Sequence, residues 1–178
     1  MRYLVPLAAA VAASIAAHPA AAMTPGQAAC PGQLAAKTLG PMLAKEMMEY
    51  KAGQAQNPAI AQAVKQVLDI CIKREKVSAD QEDAYTTYII SRVSHDDLSR
   101  QLGAMKVPTV IIDRVFGLGL GLRNPTPDQI TEDQFNALVK ELASAGVKID
   151  SLPEDAMTMM GAYVAVTGEM YRDMALVS

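Results

Sequence analysis

The chain has 178 residues, 51% of them apolar, with 16 basic and 19 acidic side chains and a net charge of −3. A mildly acidic chain with scattered Lys and Arg lacks the basic stripe that nucleic acid or an anionic lipid surface would need. Beyond the first residues no run approaches the roughly 20 apolar residues that cross a bilayer as a helix; the longest uncharged run near the C-terminus, Ala156 to Gly168, spans 13.

The opening MRYLVPLAAAVAASIAAHPAAAM has the order of a secretory leader. Arg2 supplies the positive start, Leu4 to Ala17 an uncharged Ala-rich run, and Pro19 precedes the small residues Ala20, Ala21 and Ala22. Cleavage near Ala22-Met23 is therefore expected, giving a periplasmic or secreted protein. The first 22 of 178 residues removed, 156 remain as a single domain, and 16 basic residues less Arg2 against 19 acidic give a net charge of −4. In an oxidising compartment Cys30 and Cys71 are expected to form a disulfide. Closing that loop would destabilise the unfolded chain by about 4 kcal/mol in the chain-entropy picture. The competing reading acylates Cys30, but Gln27, Ala28 and Ala29 lack the large apolar residue of a lipobox, and Cys71 would be left a free thiol.

Met23 to Gln33 holds two Pro-Gly pairs and reads as a loop or extended entry. Leu34 to Gly53 is helical, with Leu39, Leu43, Met47 and Tyr50 on one side; Gly40-Pro41 implies a kink or two consecutive helices. Asn57 to Lys76 is the best-defined helix. Ile60, Val64, Val67, Leu68, Cys71 and Ile72 recur on one face, Asn57 and Pro58 suit its start, and Lys73, Arg74 and Lys76 suit its C-terminal dipole. Ser78 and Gln81 form a capping box for a helix carrying Tyr85, Tyr88, Ile89 and Val93 inward. Ser94-His95-Asp96-Asp97 has the composition of another helix start, serving a short helix with Leu98, Leu102 and Met105 inward and a stop at Val107-Pro108.

Thr109 to Phe116 is rich in β-branched residues, and periodicity leaves it a strand or a buried helix. Gly117 to Leu122 alternates strictly; an extended chain would put three leucines on one face and bare backbone, suited to close packing, on the other. Thr131 and Gln134 cap a helix with Phe135, Leu138, Val139 and Leu142 inward and Gly146 at its stop. Ser151 to Glu154 opens a last helix running to about Leu176 and apolar on most sides. The sum is a mainly α, single-domain bundle of about six helices over residues 23–178, with residues 107–122 open to a short β segment.

The chemistry-bearing residues are few. Met157, Met159, Met160, Met170 and Met174 put several thioethers on one helix, and Met47-Met48 could approach, as a copper(I) carrier would require; methionine equally fills cores and adaptable binding surfaces. His95 is the one histidine beyond the leader, and its neighbours Asp96 and Asp97 point about 100° apart around a helix, so the three do not converge on one ion. No Gly-x-Ser-x-Gly occurs, Cys71 lies in an apolar stripe that blunts a thiolate, and the Gly-x-Gly-x-Gly run lacks the context of a dinucleotide site. No cofactor is expected.

Lys106-Val107-Pro108-Thr109 followed by Val110-Ile111-Ile112 resembles the proline-bearing strand entry of thioredoxin-like folds. An alternating segment and a helix from Thr131 to Ala145 follow, and Cys30-Pro31-Gly32-Gln33 begins like an active-site Cys-Pro-x-Cys with Gln33 in place of the second cysteine. The resemblance covers about 40 residues. It implies a thioredoxin-like module without oxidoreductase chemistry, with Pro108 in a cis peptide beside a sheet.

These readings lead to an exported, non-catalytic binding protein such as a chaperone, inhibitor or adaptor of an envelope assembly. Its partner would be another protein or a second copy, met through Met157, Met159, Met160, Tyr163, Met170 and Tyr171, where the last helix has more apolar surface than one packed face uses. The thioredoxin-like module and the copper(I) carrier are the alternatives. Intact mass of the exported protein, unreduced, is expected to match a chain starting near Met23 with both thiols oxidised; two free thiols, or a cytosolic chain retaining its leader, would contradict it.

Overall fold

The computed structural model describes residues 23–35, 39–49 and 57–176. Residues 1–22, expected to be a leader, and Tyr50 lie outside them, and the Met47 side chain is likewise not described. Seven α-helices make up the described residues: α1 (Pro25–Ala35), α2 (Leu39–Glu49), α3 (Pro58–Glu75), α4 (Glu82–Ala104), α5 (Thr109–Phe116), α6 (Glu132–Ser144) and α7 (Ala156–Leu176). Short 3-10 turns precede α4, α6 and α7, and no strand occurs among the described residues.

The segment expected to be a loop at Met23–Gln33 is instead most of α1. Its start is a capping box that the Pro-Gly pairs obscured: the Thr24 N–H donates to Gln27 Oε1 at 2.9 Å and the Gln27 N–H to Thr24 Oγ1 at 3.1 Å. Pro25 occupies the first helical position, where its missing N–H costs nothing. Pro31 lies deeper, and there it deprives the Gln27 carbonyl of its helical donor. Tyr85 of α4 fills the gap, its hydroxyl donating to Gln27 O at 2.8 Å, and Tyr88 donates to the Ala28 carbonyl at 2.8 Å. One residue before Pro31, Cys30 is joined to Cys71 of α3, with both cysteines fully buried. A helix of Ala, Gly, Pro and Gln with little apolar surface is thus fixed by a covalent bond and two tyrosines.

The cap of α3 forms as its sequence suggests, Asn57 Oδ1 accepting from the Ala59 N–H at 3.0 Å. Ile60, Val64, Val67 and Cys71 are buried, while Leu68 and Ile72 pack at the cluster's edge. The expected break at Ser94 is absent, and α4 runs unbroken through it. The two carboxylates of the supposed start signal have helix-interior partners instead, and the Ser94 hydroxyl is buried without a hydrogen bond. Asp96 accepts from Arg92 four residues back at 2.9 Å, and Asp97, buried, accepts from Gln101 four residues on at 2.7 Å and from Arg100. Leu98 and Leu102 are buried as expected.

The 109–116 ambiguity resolves as the helix α5, entered from Pro108. The alternating Gly-Leu run is a turn. Gly117 closes α5 at a φ of 66° and Gly121 turns at 72°, conformations a side chain resists. Added side chains would meet nothing within 4 Å at either, so these glycines serve backbone angle and not close packing. Leu118 is buried, but Leu120 and Leu122 are 71% and 57% exposed, and the three leucines do not share a face. Asn124, itself at a φ of 46°, ties the turn together: Oδ1 accepts from the Gly119 N–H and Nδ2 donates to the Gly119 carbonyl, both at 2.8 Å.

The core divides into two clusters along α4 and α7, which run antiparallel: Ser91 lies opposite Asp173 and His95 opposite Tyr163. The first cluster joins α1–α3 to the first half of α4 and to Met170; the second joins the rest of α4 to α5, α6 and the first half of α7. Replacing both cysteines by serine is expected to cost about 2–4 kcal/mol in urea unfolding. Tyr85→Phe, which leaves the Gln27 carbonyl without its donor, should cost about 1–3 kcal/mol; parent-like stability of either variant would refute this account of α1.

Candidate functional site

Two features of the second cluster qualify as sites, one polar and one apolar. The polar one centres on Tyr163. Its hydroxyl donates to Asp113 Oδ1 of α5 at 2.9 Å and lies 3.3 Å from His95 Nε2 of α4; His95 Nδ1 is 3.0 Å from Asp96 Oδ1. The hydroxyl has one proton, and the shorter contact takes it to Asp113. Burial, then the negative charge of Asp113, raises the Tyr163 phenol above its ordinary range, so it stays protonated. Burial also raises Asp113 against the opposing pull of Tyr163 and His95. At Asp96 burial pushes up as well, but hydrogen bonds from His95 and Arg92 outweigh it and hold the carboxyl below its usual range.

A His, a Tyr and two carboxylates would suit acid–base work if a substrate reached them. Tyr163, however, is 1% exposed, and its hydroxyl is already committed. The cluster joins three helices by side-chain hydrogen bonds, and its chemistry is that of a clamp. No group of three or more His, Cys, Asp or Glu among the described residues is arranged to hold a metal.

The apolar feature is a groove where α5, α6 and α7 meet. Phe116, Leu138, Met160 and Val164 form its floor; Ile130, Phe135, Met157 and Gly161 stand around them. Phe135 was expected to point inward, yet it is 42% exposed because α6 buries only Leu138 and Leu142. The groove holds about 90 Å³. Sites for small molecules run at roughly 300–1,000 Å³, so this one has room for an apolar side chain and not for a metabolite.

Of the six residues expected to meet a partner, Met159, Met160, Tyr163 and Met170 are at most 3% exposed. The apolar excess of α7 is consumed by its own domain, since α4 covers most of its length and α2 and α5 add further contacts. Tyr171 is half-buried against the first cluster, and Met157 is half-buried in the groove. Cys30 and Cys71 are bonded as expected. Met170 lies in one core cluster and Met159 and Met160 in the other, so the helix does not gather its thioethers around one point. The thioredoxin-like expectation fails: Val107–Ile112 leads into a helix, no cis peptide is present among the described residues, and Cys30 is bonded within a helix. Comparison with protein-family models, with curated proteins and with solved structures finds no match to this chain.

One buried carboxyl bears on stability. Burial and the nearby Glu169 raise Asp173 to about 6, against Ser91, which lies 3.4 Å away, and Arg172. The folded chain therefore keeps a proton that the unfolded chain releases, so this group's contribution is full below the ordinary carboxyl range and is lost as pH rises to about 6. Asp173→Asn is expected to be more stable than the parent at about pH 7 and equal to it at about pH 3.5, measured by urea unfolding. A gap that does not vary with pH would contradict the assignment.

Proposed function

We propose that this chain is an exported, non-catalytic binding domain, a chaperone, inhibitor or adaptor of an envelope assembly, whose contact surface is the α5–α6–α7 groove. The observation that carries the reading is the groove itself: apolar, open, and sized for a side chain, which is how an anchoring residue of a protein partner is held. Phe135 at its rim adds exposed aromatic surface, and Met157 adds an adaptable thioether.

Export is supported by the leader-like first 22 residues and by the buried disulfide, a bond that persists in oxidising compartments. The start of α1 fits processing at Ala22-Met23. Thr24 is its cap and Met23 packs on the first cluster, and both residues follow the proposed cut. A photo-crosslinking residue at Phe135 is expected to give a discrete protein adduct in the living cell's envelope, and the same residue at exposed Gln62 of α3 none. Absence of an adduct at Phe135, or equal patterns from both positions, would refute the groove as the contact surface.

A further inference from the structure

Two properties of the groove specify the chemistry of what it takes; the inference rests on the binding reading above. The first is charge. Asp128, Glu132, Asp133, Glu154 and Asp155 all lie within three residues of a groove-lining side chain, all are exposed, and none forms an ion pair among the described residues. On the basic side Arg114 is paired with Glu141, leaving Lys140. The segments that carry the groove's lining residues thus bear carboxylates with no ion-pair partner among the described residues.

The second is Gly161. Glycine in a helix interior is unfavourable relative to alanine, so it usually answers to something that needs the space. At Gly168 that reason is visible: an added side-chain carbon would stand 3.0 Å from the Pro125 carbonyl. At Gly161, exposed and lining the groove, an added carbon would meet nothing within 4 Å. Nothing among the described residues uses the room that this glycine leaves beside the helix.

We infer that the groove docks a cationic amphipathic segment of a partner protein, its apolar side chain seated beside the bare backbone at Gly161 and its Lys or Arg residues meeting the flanking carboxylates. Opposite charge at the rim steers and orients such a segment, and the apolar anchor holds it. Those carboxylates repel an anionic lipid surface and any acidic peptide.

The test uses the full exported chain and two synthetic amphipathic helices of about 18 residues with leucines at i, i+3, i+4 and i+7, one with lysine at every other position and one with glutamate. Fluorescence anisotropy should show the lysine peptide binding, more weakly as salt rises, and the glutamate peptide not binding. Glu132→Lys/Asp133→Lys should weaken binding about tenfold or more. Gly161→Leu, which fills the groove where there is open space, should abolish it with a thermal midpoint unchanged or raised. Equal binding of both peptides, or lysine-peptide binding that survives Gly161→Leu, would overturn the inference, as would self-association of the chain that Gly161→Leu abolishes. The binding reading itself stands or falls separately, on the crosslink at Phe135.

Discussion

The fold depends on how a proline-interrupted helix is held against the bundle. Pro31 removes the donor that the Gln27 carbonyl would have used, and a buried carbonyl left alone is costly. Tyr85 supplies the proton from another helix, Tyr88 does the same for Ala28, and the two rings stack with centroids 6.0 Å apart. Burial keeps both phenols above their ordinary range, hence protonated and able to donate. The disulfide fixes the neighbouring residue to α3, so a segment with little apolar area is bound by covalent and polar means.

From that anchor the rest follows along α4. Its first half faces α1–α3, its second half faces α2 as well as α5 and α6, and α7 lies antiparallel along both. The His95–Tyr163–Asp113 cluster sits where three helices converge, with the Tyr163 hydroxyl meeting both of the others and Asp96 meeting His95 Nδ1. Glycine permits close approach at Gly32 of α1, where an added carbon would stand 3.1 Å from the Asp96 carboxylate, at Gly40 of α2, 3.2 Å from the Asp97 side chain, and at Gly168 of α7 beneath the Asn124–Pro125 loop. Arg172 donates to the Asn124 carbonyl at 2.7 Å, which fixes the loop on α7.

Function on this architecture belongs to the surface that packing leaves uncovered. A helix apolar on most sides needs more than one neighbour; α7 has them, and its apolar surface stays open at the strip at Met157 and Gly161 beside α6 and at Leu176 at its end. The short α6 buries two leucines and leaves Phe135 at the edge, while the acidic residues that favour helix starts gather at the beginning of α6 and just before α7. Local helix chemistry and leftover apolar area together make a groove with a charged rim.

The Asn57, Ser78 and Thr131 starts, the inward stripes of α3 and α4, and the pairing of the two cysteines were legible because each rests on residues one helical turn apart or on there being only two thiols. α1 was hidden because Pro-Gly pairs weigh toward turns, and its capping box is outweighed unless Tyr85 and Cys71 are known to lie against it. Ser94–Asp97 misleads for the converse reason: Asp96 and Asp97 find partners on α4 itself, and His95 meets Asp96 on α4 and Tyr163 on α7. The chain by itself determined that helices form, where most begin, and which faces are apolar, since those depend on spacing within a segment. Only the tertiary structure decided which apolar stripe stays open. Met159 and Tyr163 are covered while Phe135 and Gly161 are not, because burial is a property of what packs alongside.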